Sequence, residues 1–158
     1  MIQDYFFLAE KIRADSKYFD VSIEEILRHL ENEGGKFEYK CEQVFEGFAN
    51  PVPLRLNIRC KGPVNSWTIS LKLPGTIRPI RIDCIDWEAR YTDVLGQSMY
   101  GWHRHMFDDK SKSAENLKAS VEGLDDISNK QQFLFRAFKL MKILLNEVDY
   151  GQTELPYP

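Results

Sequence analysis

Positive charge is not in excess in this chain. Lys and Arg number 21 against 24 Asp and Glu, a formal net charge of −3. The overall basic footprint of a nucleic-acid binder is therefore missing, and only a local patch could serve that role. Cysteine is scarce: Cys41, Cys60 and Cys84 are an odd number, far apart, with no C-x-x-C pair. That argues against a disulfide framework or a zinc cluster and suits reduced thiols buried in strand-like runs. Long apolar runs are missing as well. Met1-Ile2-Gln3-Asp4-Tyr5-Phe6-Phe7 lacks the basic region and apolar stretch of a signal peptide. The most apolar late stretch is broken by Arg136, Lys139 and Lys142, so no membrane span is expected. A cytoplasmic location follows as the expectation. No G-x-x-x-x-G-K-[ST], no G-x-G-x-x-G and no G-x-S-x-G setting for a serine such as Ser98 occurs, which disfavours NTPase, dinucleotide and α/β-hydrolase roles. No internal repeat is visible.

What is present is enough apolar material for one core. The 158 residues are 43% hydrophobic and 13% aromatic, a composition for one ordered domain, here taken as 1–158. Ile2, Tyr5, Phe6, Ala9 and Ile12 recur at helical spacing over Ile2 to Ala14. Ser22-Ile23-Glu24-Glu25 is a capping box that opens a second helix with Ile23, Ile26, Leu27 and Leu30 on one face, stopped by Gly34-Gly35. The period then changes to two. Alternating runs begin at Phe37, Leu54, Trp67 and Ile80, with punctuation at Lys61-Gly62-Pro63 and Pro74-Gly75. A further strand is expected from Ser98 to Phe107. Residues 108–120 read as a mobile loop. Ser128-Asn129-Lys130-Gln131 resembles a second capping box opening a long helix whose apolar stripe runs from Phe133 through Leu144 and Leu145 to Val148. Residues 150–158 read as an irregular tail. The expected fold class is α+β: an antiparallel sheet of about five strands, with two N-terminal helices and one long C-terminal helix packed on one face.

Two constellations could carry chemistry. If the apolar positions face the helices, the other sheet face presents Arg55, Arg59, Lys61, Lys72 and Arg81 among Asn57, Ser66, Thr68, Ser70 and Asp83. Such a surface can hold phosphates or an acidic partner, or be an ordinary solvated face. Arg104 is a further candidate for binding. The second constellation is Trp102-His103-Arg104-His105. On a strand, His103 and His105 point the same way, a spacing that suits a metal pair, or an acid/base pair acting on a phosphodiester. If the Arg81-Ile82-Asp83 strand pairs with it, Asp83 could orient an imidazole and Arg81 could steady a phosphate; a plain cross-strand ion pair is the alternative. No acidic third ligand sits at a diagnostic spacing, although Asp83, Asp86, Asp108 and Asp109 are near, so neither metal nor cofactor is specified. His29 reads as exposed. Tyr100, Trp102 and Phe107 could stack bases or serve as core.

These motifs resemble a group of small bacterial proteins of unknown function. The shared pattern over Leu54 to Phe107 is a polar-basic strand, an R-[IL]-D strand (Arg81-Ile82-Asp83), a loop from Asp93 to Gly96 and an H-x-H strand. Where such proteins often carry another His after the R-[IL]-D strand, this chain has Ala89-Arg90. Similar proteins occur in toxin–antitoxin or prophage regions, which implies a nucleic-acid or defence-related role. A binding surface needs less than a complete catalytic constellation. The sequence therefore leans to a non-catalytic interaction or inhibitor/antitoxin-like module with a protein partner or a homodimer. The alternative is a small RNA-binding or phosphodiester-cleaving toxin-like protein, with His103 and His105 as acid/base or metal ligands and Arg55, Arg59 and Arg81 on phosphate.

Overall fold

The computed structural model describes residues 2–74, 79–106 and 117–146, the side chains of residues 2–6 and 106 excepted. The elements run α1 (Ile2–Ala14), β1 (Lys17–Phe19), α2 (Ile23–Asn32), β2 (Lys36–Gln43), β3 (Val52–Arg59), β4 (Thr68–Leu73), β5 (Ile80–Thr92), β6 (Ser98–Met106), β7 (Leu117–Ser120), α3 (Lys130–Met141) and β8 (Ile143–Leu145). Strands β2 to β7 form one antiparallel sheet in sequence order, and β1 and β8 form a separate parallel pair. The fold is α+β, as the grouping of periods implies. Among the described residues no helix is long and apolar enough to cross a membrane.

Local chemistry explains the elements. Ser22 caps α2 by accepting a hydrogen bond from the Glu25 amide at 3.0 Å, and Ile23, Ile26 and Leu30 bury one face. The helix ends where Gly34 and Gly35 take φ of 68° and 83°. Gly35 is needed twice over. A Cβ there would lie within 2.9–3.1 Å of Lys61 and the Cys60 carbonyl, and the Gly35 carbonyl accepts from the Cys60 amide at 2.7 Å. Along β3 the residues Leu54, Leu56 and Ile58 are buried while Arg55, Asn57 and Arg59 look the other way. The buried side packs against the helices. Phe133 of α3 sits between Trp67 and Trp102, with ring centroids 5.6 and 5.3 Å away, and α1 contributes the fully buried Ala9 and Ile12.

Several expectations change. The C-terminal helix stops at Met141. Lys142 takes a left-handed φ of 56°, and the chain continues as β8. Leu144 and Leu145 are strand residues because the Lys142 carbonyl accepts from the Lys17 amide and the Lys142 ammonium reaches the Ala14 carbonyl, which docks the segment on β1. Val148 and the 150–158 tail lie outside the described residues. Asn129, not Ser128, caps α3, accepting from the Gln132 amide at 2.9 Å. Residues 117–120 of the expected loop form strand β7 at the sheet edge, and the rest of that loop lies outside the described residues. The main sheet accordingly has six strands.

Candidate functional site

The open face of the sheet is set by register. Lys40 stands directly opposite Arg55, Arg55 opposite Lys72, and Lys72 opposite Arg81. One row of cations therefore crosses β2, β3, β4 and β5, spanning roughly 14 Å at the usual strand spacing. Lys36 opposite Arg59 adds a second like-charged pair on the same face. Like charges directly opposed on a sheet are destabilising. Glu38 offsets part of this, at 3.7 Å from Lys40 Nζ and 3.9 Å from Arg55 Nε. Among the described residues neither Arg59 nor Lys72 has a carboxylate partner. A concavity of about 880 Å³ opens here, with Arg59, Lys72 and Arg81 in its lining and His29, exposed as expected, on its α2 rim. Lys61 lies beyond the end of β3, in the turn to β4 and outside the rows.

The same face continues into a second cluster on β5 and β6. Cys84 stands opposite His105 and Asp86 opposite His103. The two imidazoles are 5.0 Å apart between centroids. His103 is fully buried and His105 only 5% exposed. His103 Nδ1 lies 3.2 Å from the Gly101 carbonyl. A carbonyl only accepts, so Nδ1 carries the proton, and in the neutral ring Nε2 presents its lone pair. That Nε2 is 3.2 Å from Glu88 Oε1 and makes no hydrogen bond. His105 Nε2 is 3.9 Å from Asp86 Oδ2. Lys118 of β7 also pairs with Glu88 Oε1. The Tyr91 ring covers His103 at 4.4 Å. It is turned there by a bulge in which Ala89 and Arg90 of β5 stand against Tyr100 alone on β6.

Burial lowers the His103 pKa, and the nearby His105 adds to this against the Gly101 hydrogen bond and the Asp86 and Glu88 carboxylates. Burial would raise the Asp86 carboxyl, but His105 and the Trp87 amide outweigh it and hold the group below its ordinary value. Burial pushes the Cys84 thiol up, against Arg81 and Ser70. The arrangement sets two imidazoles beside the Asp86 and Glu88 carboxylates, a donor set that suits either a cation or proton exchange.

The structure separates some residues that the sequence groups together. Asp83 is on the helix side of the sheet, fully buried, and takes a bidentate pair from Arg104 at 2.8 and 2.7 Å. Arg13 Nε of α1 is 3.9 Å from the same carboxylate. Asp83 therefore does not orient an imidazole, and Arg104 does not face the phosphate-binding candidates. The cause is a register shift between Leu71–Asp83 and Lys72–Arg81, which leaves Ile82 as the extra residue and puts Arg81 and Asp83 on opposite faces. Trp102 is core, packed on Phe133, and Phe107 lies outside the described residues; Tyr100 is exposed. Glu88 and Lys118 were not singled out by sequence reasoning. Asp86-x-Glu88 has the same period of two as the His pair, and that was the available signal. Cys41, Cys60 and Cys84 are all unbridged, the last two buried. No protein family, curated protein or solved structure matches the chain.

Proposed function

We propose that the open sheet face binds the phosphate backbone of a nucleic acid, with RNA the first substrate class to test. The carrying observation is the row Lys40–Arg55–Lys72–Arg81, four cations in direct cross-strand register on a chain whose net charge is −3. Opposed like charges cost stability, and an anionic ligand offsets that cost. No aromatic side chain stands in either cation row, so the contacts favour the backbone over stacked bases. The test is fluorescence anisotropy with a labelled single-stranded RNA and the matching DNA. Each phosphate contact on a single strand contributes about 0.7 to the salt slope, so engagement of the whole row gives a slope of about −3. Arg55→Gln and Lys72→Gln should each flatten it by about 0.7, for RNA and DNA alike. No binding at low salt, or a slope that ignores both substitutions, rejects the reading.

A non-catalytic interaction role is favoured by a different observation. Val94, Leu95 and Tyr100 are 44%, 78% and 77% exposed around the β5–β6 hairpin, whose turn is held by Asp93 Oδ1 accepting from the Leu95 and Gln97 amides. In this reading the hairpins of two copies meet. Light scattering should then report a dimer that Leu95→Asp dissolves, whereas a monomer at every concentration would retire the homodimer.

A further inference from the structure

We infer that Glu88, His103 and His105 form a binding site for a first-row divalent transition metal ion, with zinc as the type. His103 Nε2 is a buried ring nitrogen without a hydrogen-bond partner. In the neutral ring, with Nδ1 donating to Gly101, His103 Nε2 is an acceptor, and it lies 3.2 Å from Glu88 Oε1, itself an acceptor held by Lys118. His103 is 0% exposed, and its Nε2 makes no hydrogen bond within the protein that would relieve the contact. A cation between the two atoms would. Two ligand atoms each 2.0–2.1 Å from a tetrahedral ion stand about 3.3 Å apart, which is the separation seen. The third donor is in reach: the ligand atoms of Glu88, His103 and His105 all lie within 4.8 Å of one another.

The surroundings fit the role. The Gly101 carbonyl fixes the His103 tautomer and aims its lone pair, the usual support for a ligating imidazole. Two imidazoles and one carboxylate form the donor set of zinc sites that keep a position open and of two-His, one-carboxylate sites generally. Nitrogen donors disfavour magnesium and calcium. Glu88, whose side chain is 36% exposed, gives the site its open side. A neighbouring triad of Cys84, Asp86 and His105 shares one imidazole. The Cys84 sulfur, however, already accepts from Ser70 Oγ at 3.4 Å and Arg81 at 3.6 Å, so the ion is assigned to the Glu88 side. Lys118 holds Glu88 Oε1 and is the resident cation that a metal must displace. The site lies beyond the cation row and does not depend on nucleic-acid binding.

The test is made without nucleic acid, on full-length protein stripped with chelator and titrated with Zn²⁺ by calorimetry, and with Co²⁺ followed by its visible absorption. One equivalent should bind, and Mg²⁺ should not compete. His103→Ala, His105→Ala and Glu88→Gln should each weaken binding by more than about tenfold. Lys118→Gln should tighten it, which a merely structural role for these residues does not predict, and Cys84→Ser should leave it unchanged. Should either histidine variant lose its circular dichroism signature, the wild-type titration together with Glu88→Gln and Lys118→Gln decides. Absence of a stoichiometric site in the wild type, zinc affinity indifferent to Glu88→Gln, or a thiolate charge-transfer band lost in Cys84→Ser would each overturn the assignment.

Discussion

Replacing Lys72 with Glu should make this protein more stable and less able to bind nucleic acid. Lys72 is half-buried and stands between Arg55 and Arg81, directly opposite each across the ladder. Opposed pairs on one sheet face contribute roughly 0.2–1 kcal/mol, favourable for opposite charges and unfavourable for like ones. The substitution reverses the sign of both pairs. After discounting for solvent screening at partly exposed positions, the gain is about 1 kcal/mol. In a chain of this size that is a rise of about 2–4 °C in Tm. Salt gives an internal control. Added salt should relieve repulsion in the wild type and raise its Tm relative to the variant, closing the gap. Lys72→Gln, which removes the charge without reversing it, should fall between the two. The measurements are thermal melts at low and high salt, paired with anisotropy on labelled RNA. The row interpretation requires stability and binding to move in opposite directions. A variant that melts lower than the wild type, or one that binds RNA as before, would refute it.

The charges on the covered side of the sheet behave differently. Asp83→Asn leaves Arg104 and Arg13 without their buried carboxylate and should cost about 3–5 kcal/mol in urea unfolding; nucleic-acid affinity of the folded fraction should not change. Lys17 is fully buried, and burial lowers its pKa from 10.5 to about 8, partly against the pull of Asp83. The unfolded lysine keeps a proton that the folded one gives up, so stability should rise as pH increases through about 8. The Cys60 thiol, pushed up to about 12 by burial, holds a proton that the unfolded chain loses above pH 9 and works in the opposite sense there. The rise therefore concentrates between pH 8 and 9, amounts to no more than about 1 kcal/mol, and should vanish in Lys17→Met. Gly101→Ala meets nothing closer than Trp87 Nε1 at 3.7 Å, but its φ is 100°. It should cost about 1–2 kcal/mol through the backbone alone and, by moving the carbonyl that holds His103, weaken zinc binding as well.

Period-two patterning made the polar face legible before any register was known. Arg55, Arg59 and Lys72 stand where alternation with Leu54, Leu56, Ile69 and Leu71 puts them, because burial of one face forces that alternation. That the cations align into a row was not legible, since pairing offsets are set by turns and long-range packing rather than by the strands themselves. The histidine cluster failed and succeeded for one reason. His103 and His105 share a face, as H-x-H implies, but choosing their carboxylate required knowing where β5 bulges. Read as a straight strand, Arg81 and Asp83 share a face and Asp83 reaches the imidazoles. With Ile82 as an extra residue, Arg81 stays beside Lys72 and Asp83 turns under α1. A one-residue slip thus exchanges the two roles open to an acid on this strand: Asp83 ties a helix to the sheet, and Asp86 and Glu88 meet the histidines. Composition cannot separate these roles, because an aspartate that anchors a core and one that faces a ligand are the same residue. The distinction lies in the ladder, and β7, whose Lys118 completes the cluster from a segment that reads as loop, carries no strand signal of its own because an edge strand of four residues needs little apolar material.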